Sequence, residues 1–260
     1  MTNKISLFDT HCHLDFPELV DKLDLYLSKS EEAGIIGILI PGVTKGGWRA
    51  IRQITAKYSI CHSALGLHPL FMDNHKNSDL HDLEMALSVD PISAIGEFGL
   101  DYQKSKINSS QQVKLAKAQI SIALSAELPV VLHVRKAHDE MIKILSQLNF
   151  KGGGIVHAFN GSEHQAHKYI DMGMKLGFGG AMTFPRAAKL HRLAKELPLK
   201  SIVLETDAPD MAPVTCKLPH NTPLHLFDNF RSLITLRNEA AVEIANQITM
   251  NALEVLKLDG

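Results

Sequence analysis

ISLFDTHCHLD, residues 5–15, runs from a short apolar stretch (Ile5, Leu7, Phe8) directly into a His-Cys-His triplet. On an extended chain alternate side chains share a face, so His11 and His13 emerge together while Cys12 turns away. Their backbones stand roughly 7 Å apart, near enough for two imidazoles to close on one divalent cation. The same layout, an apolar run with a ligand-type side chain at its carboxyl end, recurs at Glu97, His133, His157 and Asp207. One such triplet alone is weak evidence of a metal. The recurrence is what carries the reading.

Outward from that stretch, short apolar or Gly-rich segments alternate with longer amphipathic ones along the whole chain. Strands are expected over 5–9, 35–41, 59–66, 92–96, 130–134, 154–158, 174–179 and 202–205. Helices are expected near 17–33, 47–57, 79–89, 110–127, 136–147, 162–172, 187–197 and 226–257, the last interval holding two. Pro91 and Pro129 stand just before two strands, where a helix has already stopped. Ser162 is placed to open one helix and Gly173 to close it. Eight strand–helix units without a linker, repeat or low-complexity tract point to an α/β fold, a (β/α)₈ TIM barrel, as one domain over 1–260. The rival, an open doubly wound sheet, lacks its GxGxxG after the first strand.

Composition narrows the class. A chain of 260 residues, 45% hydrophobic, can bury a sizeable core, and a formal charge of −1 provides no general attraction to nucleic acid or membrane. Three cysteines without a CxxC argue against a disulfide framework and fit a reducing, cytoplasmic setting. The opening MTNKISLFD lacks the layout of a signal peptide, and no apolar run approaches the roughly 18 residues of a membrane span. A soluble cytoplasmic protein is expected.

Of the fourteen histidines, His11, His13, His68, His133 and His157 fall at or just past strand ends. In a barrel these ends meet at one mouth, the carboxyl face of the strands. Six candidate ligands (His11, His13, Glu97, His133, His157, Asp207) exceed the three protein ligands of a single catalytic zinc, so two divalent ions are expected. Glu97, on the fourth strand, is the candidate bridge between cations about 3.5–4 Å apart. His11, His13 and Asp207 come from the first and last strands and should hold one ion. His133 and His157 should hold the other. Mixed His/carboxylate ligation suits zinc or manganese, with magnesium an option if waters fill its shell. Such a pair makes water a nucleophile near neutral pH, and Asp207 is placed to take or return its proton. The chemistry is metal-assisted hydrolysis; the bond cut is left open.

Seven motifs in order carry a resemblance: DTHCHLD (9–15), GLHP (66–69), IGEFGLDY (95–102), LPVVLHVRKAHDE (128–140), HAFNGS (157–162), LGFGG (176–180) and LETDAPDM (204–211). Together they resemble the TatD family of metal-dependent deoxyribonucleases, amidohydrolase-like barrels, and span residue 9 to about 223. The resemblance implies one metal held by His11, His13, Glu97 and Asp207 and a second by Glu97, His133 and His157. It implies that His68 contacts the substrate phosphate, and that Asp207, Glu97 and His68 form the catalytic set. It also implies phosphodiester hydrolysis on nucleic acid, trimming single-stranded DNA from the 3′ end, with RNA a substrate of some members. The family's NEP-like triplet is here NTP within HNTP (His220–Pro223), with Thr222 in the glutamate's place, in a loop expected to line the substrate groove.

Other residues follow strand ends too. Arg135, Lys136 and Arg186 are candidates to grip phosphates or simply solvated loop charges. Tyr102 or Phe184 would stack a terminal base, or pack the barrel rim. Trp48 is expected to pack a helix on the barrel, and Cys12 to be buried. Two other readings stay open. One is a hydrolase of a small ester, amide or phosphoester, or a deacylase of aminoacylated RNA; the other is a non-catalytic protein that keeps its metal for structure.

Overall fold

The computed structural model describes residues 5–89, 91–103 and 108–258. Its strands are β1 (Leu7–Asp9), β2 (Ile35–Pro41), β3 (Cys61–Leu65), β4 (Ala94–Asp101), β5 (Val130–Arg135), β6 (Gly154–His157), β7 (Met174–Phe178) and β8 (Ile202–Leu204). All eight lie parallel in one sheet in chain order. Parallel neighbours need a crossover, which helices supply. They are α1 (Pro17–Val20), α2 (Leu23–Ala33), α3 (Trp48–Lys57), α4 (Asp79–Leu87), α5 (Ser109–Ser125), α6 (His138–Gln147), α7 (Glu163–Asp171), α8 (Ala188–Glu196), α9 (Leu226–Leu236) and α10 (Ala241–Leu256). The architecture is TIM-barrel-like.

Among the described residues the seam between β8 and β1 carries no ladder. It is spanned beyond the strand ends by one parallel bridge, Cys12 to Ala208. Thr10 N donates to Leu204 O (3.0 Å), His13 N to Ala208 O (2.8 Å) and Asp207 N to His11 O (2.8 Å). Helix α10 reinforces the seam from outside: Thr249 Oγ1 donates to Ser6 O (2.9 Å) and Asn251 Nδ2 to Ile202 O (2.7 Å). The segments that carry the HCH triplet and Asp207 are thus neighbours through their backbones.

Apolar side chains pack in two clusters. The larger fills the space between sheet and helices. The smaller takes Phe8, Leu39, Ala64, Ala94, Val131, Ile155 and Val203 from seven of the strands, with α10 residues beside them. On β7 the residue in register with Ile155 is Lys175, whose ammonium reaches Lys200 O and Glu254 Oε2, each at 2.9 Å. Its stem fills the layer while its charge is led out to the surface.

Alternation along a strand carries this inner face toward the mouth: Val131 is followed by His133 and Arg135, Ile155 by His157, and Val203 by Glu205. On β4 the pattern needs a correction. The strand expected over 92–96 runs Ala94–Asp101, and its register with β5 slips between Ile95 and Phe98. That bulge sets three β4 residues against two on β5 and reverses the facing of the residues beyond it. Ala94 belongs to the inner cluster and Phe98 to the outer one, so Glu97 turns inward. At Gly99 the reason for glycine is room, since its φ is +152° and a Cβ would lie 2.0 Å from His133 O.

Smaller differences are local. The helix expected over 17–33 is interrupted at Lys22, whose φ of −119° and ψ of 21° leave the helical range. The helix expected from 136 begins at His138, because Lys136 has a left-handed φ of +54°. The Ser162 start is met in full: Ser162 Oγ accepts from Gln165 N (3.2 Å), and Gln165 Oε1 accepts from Ser162 N (2.8 Å). Gly173 follows α7 with φ +79°. Trp48 is buried at the start of α3 and donates to Gly66 O at 3.1 Å. Cys12, Cys61 and Cys216 are free thiols, the first two buried. Among the described residues no helix is long and apolar enough to cross a membrane.

Ile155 lies fully buried in the inner cluster. Ile155→Ala should cost about 2–5 kcal/mol of unfolding free energy, measured by urea denaturation. A loss below about 0.5 kcal/mol would contradict a close-packed interior.

Candidate metal centre

Glu97 lies between two sets of histidines. Its Oε2 stands 3.2 Å from His11 Nε2 and 3.8 Å from His13 Nε2. Its Oε1 stands 3.0 Å from His133 Nδ1 and 3.4 Å from His68 Nε2. Across from it, Asp207 Oδ1 lies 3.7 Å from His11 Nε2 and 3.5 Å from His13 Nε2, while Oδ2 lies 3.6 Å from His157 Nε2. Among the described residues, three groups of ligand-type atoms lie within 4.8 Å of one another: His11/His157/Asp207, His11/His13/Glu97 and His68/Glu97/His133. The mouth thus brings together all six candidate ligands and His68.

The grouping differs from the expected pairing of His133 with His157. Their rings are 6.4 Å apart, whereas His157 stacks on His11 at 3.6 Å and His68 meets His133 at 4.3 Å. Strand order predicts adjacency of backbones, but imidazoles reach several ångströms sideways, and Glu97 and Asp207 draw them to opposite ends.

Three carboxylates not singled out from the sequence orient these groups. Asp9, two residues before His11, accepts from His11 N (3.2 Å), Thr206 N (2.9 Å) and Thr206 Oγ1 (2.6 Å). Asp101 Oδ2 is 2.9 Å from His133 Nε2, so His133 is held between two carboxylates. Glu205, two residues before Asp207, accepts from Ala158 N at 2.6 Å and stands 3.1 Å from His157 Nδ1. The last is an ion-pair distance, its alignment short of a hydrogen bond. Gly177 makes room for Glu205, as a Cβ there would lie 2.2 Å from Oε2. Carboxylates behind ligating imidazoles fix ring orientation and raise basicity. A signal existed in the sequence: Asp9 and Glu205 sit two residues from a candidate ligand, on the same face of the strand.

Burial and charge set the protonation pattern. Burial would raise Glu97 and Asp207, yet neighbouring histidines pull both below the usual carboxylate range. Burial would lower His157, but Glu205 and Asp207 hold it up at about 10. His13 and His133 are raised likewise against burial, chiefly by Asp207 and by Asp101 with Glu97. His11 is lowered by burial and by His157. Burial pushes His68 down to about 4 despite Glu97.

The centre floors a cavity of about 610 Å³ whose wall includes Phe16, Phe71, Phe159, Phe178 and Met182, with Arg135 and Asn160 at one side. Tyr102 is buried and donates to Glu140 Oε2 at 2.9 Å rather than offering a stacking face there. Phe184 lies under the Arg186 guanidinium at 5.8 Å. Thr222 does not line the cavity as expected. It is buried and caps the short turn Pro223–His225. Beside it, Asn221 Nδ2 donates to Thr206 O and Asp210 O, both at 2.8 Å, and so pins the segment carrying Asp207.

The residues fit a divalent cation. Two imidazole nitrogens face each other at 3.2 Å beside two anionic carboxylates. The other ring nitrogens of His11 and His13 are buried without a hydrogen-bond partner. Nitrogen and oxygen donors in this mixture suit zinc or manganese.

Comparison with known proteins agrees. A family model described as TatD related DNase matches residues 8–257. The uncharacterized metal-dependent hydrolase YjjV of Escherichia coli K12 is 36% identical over 245 residues, covering 94% of this chain and 95% of that protein. An uncharacterized metal-dependent hydrolase of Haemophilus influenzae is 33% identical over 258 residues, covering 95% of this chain and 98% of that protein. The crystal structure of YjjV, described as a TatD homolog, superposes with a TM-score of 0.93 at 34% identity, over 97% of this chain and 98% of that one.

Two measurements test the centre. Glu205→Gln should weaken divalent-metal affinity about 10–100-fold in equilibrium dialysis; a change under about twofold would deny Glu205 an orienting role. Because His157 is held protonated at neutral pH, it must lose that proton to ligate. Metal uptake at pH 7 should therefore release protons, and affinity should rise with pH. Calorimetry in buffers of different ionisation enthalpy reads this directly, and zero release would contradict it.

Proposed function

The chain belongs to the TatD related DNase family and is a metal-dependent hydrolase, and from that premise we propose that it cleaves phosphodiester bonds at the 3′ ends of single-stranded DNA with two divalent cations. The observation that carries the two-ion reading is Glu97, whose Oε2 faces His11 and His13 while its Oε1 faces His133. A carboxylate so placed suits a bridge. Cations held there would supply Lewis acidity toward a phosphoryl oxygen and lower the pKa of a water toward neutrality.

The chain's own residues do the rest. Asp207, anionic because His157 and His13 outweigh its burial, accepts a proton from the attacking water and returns it to the leaving oxygen. His11, His13, His133 and His157 would hold the ions, each through a nitrogen free of its proton. His68 acts differently. Its Nδ1 accepts a hydrogen bond from Leu70 N at 3.1 Å, so the neutral ring carries its proton on Nε2, the atom turned to Glu97. A protonated Nε2 is a donor, suited to a phosphoryl oxygen rather than to a metal. The aromatic wall offers stacking surface to a terminal base, worth about 1–3 kcal/mol.

A 3′-labelled single-stranded oligonucleotide with Mg²⁺ or Mn²⁺ should shorten from its labelled end. No cleavage with any divalent ion, together with turnover of small esters, would replace this reading by the small-molecule one. Asp207→Asn should reduce turnover by at least about 100-fold while part of the metal is retained. His68→Ala should keep its metal, measured by elemental analysis, and lose turnover by about 10-fold or more; loss of metal would make His68 a ligand.

A further inference from the structure

Beside the metal cavity lies a second basin of about 890 Å³, between the loop after β5 and the loop after β6. The two share Arg135 and Asn160, so they adjoin. Among the described residues three cations line the basin: Arg135, Lys136 and Lys189. All three are exposed, and among the described residues the side chains of Arg135 and Lys136 make no hydrogen bond or ion pair. Lys189 donates to Asn160 O, which leaves further N–H bonds on its ammonium.

The basin's two carboxylates are already engaged. Asp139 accepts from Gln165 Nε2 at 2.7 Å and Glu140 from Tyr102 Oη at 2.9 Å. Both carboxylates keep their charge, so three cations against two anions leave the basin's lining with a net charge of +1 (3 − 2). Helix α6 starts here at Ala137, whose side chain offers no cap, so its positive end adds to the same field. Lys136 holds a left-handed φ of +54°, a costly conformation for a lysine, at the turn that delivers it to this rim.

We propose that this basin is a phosphate subsite for the strand continuing from the reacting end, with Arg135, Lys136 and Lys189 gripping phosphates beyond the one at the metal centre. The substrate is then a polyanionic chain rather than a mononucleotide-sized ester. The proposal rests on the nuclease reading and deepens it. Arg135 stands at the junction because the inner face of β5 steps from Val131 to His133 to Arg135, which puts a guanidinium one position above a metal-site imidazole.

The test uses metal-stripped protein in EDTA, so that binding is read without cleavage, and a fluorescein-labelled single-stranded decanucleotide. Lys136→Gln with Lys189→Gln should weaken binding about 10-fold at low salt and flatten the plot of log K against log salt by about 1.4, two phosphates at roughly 0.7 each. Lys151→Gln with Lys200→Gln, which removes two charges just before β6 and β8 at the far end of the sheet, should change that slope by less than half as much. With Mn²⁺ restored, the wild-type preference for the decanucleotide over a dinucleotide should shrink at least about fivefold in the basin variant. Equal slopes and an unchanged preference, in a protein whose wild type binds and trims, overturn the subsite alone. A wild type that neither binds nor trims overturns the subsite and the nuclease reading together.

Discussion

A carboxylate buried among imidazoles constrains everything around it. Glu97 is almost without solvent and anionic, and a lone buried charge of that kind costs several kcal/mol unless opposite charge surrounds it. Protonated histidines meet that need here, and a divalent cation held by the same groups would take the place of their protons. The bulge on β4 is the backbone expression of the same demand. Without it Glu97 would face the helices, in the apolar layer that holds Phe98, and the centre would have no middle.

Around that carboxylate the sheet works in two-residue steps. An apolar layer of Val131, Ile155 and Val203 supports a layer of ligands and orienting carboxylates, and above it the rim turns cationic at Arg135. Each step exchanges one chemistry for another at a fixed spacing of about 7 Å along a strand. Hydrocarbon at the base excludes water, which strengthens the electrostatics one layer up. The same stacking explains why Asp9 and Glu205 matter, since a carboxylate one step below a ligand is within reach of its neighbour's backbone or ring.

The seam adds a second dependence. His11 and His13 sit far from Asp207 in the chain, and a set of backbone bonds past the ends of β1 and β8 brings them together. Asp9 with Thr206, and Asn221 with Thr206 O and Asp210 O, brace that junction from below and beside. The change from glutamate to Thr222 in the resembling triplet falls in this bracing rather than on the cavity wall. Its consequence is local packing of a turn, while the adjoining asparagine keeps hold of the segment that carries Asp207.

The sequence alone determined the alternation of strands and helices, because side-chain periodicity is a local property of the chain, and it singled out the ligand-type residues that gather at the mouth. The helix start at Ser162 and the burial of Cys12 and Trp48 were legible for the same reason. Tertiary structure decided what depends on distances across the sheet. It decided that His157 stacks on His11 while His68 joins His133 at Glu97, since ring reach is not encoded in strand order. It decided that Glu97 lies within a bulged strand rather than at a strand's end, since the register slip that turns it inward is set by pairing with β5. And it decided the roles of Asp101 and Glu205, because a carboxylate becomes an orienting group only when a particular ring lies beside it.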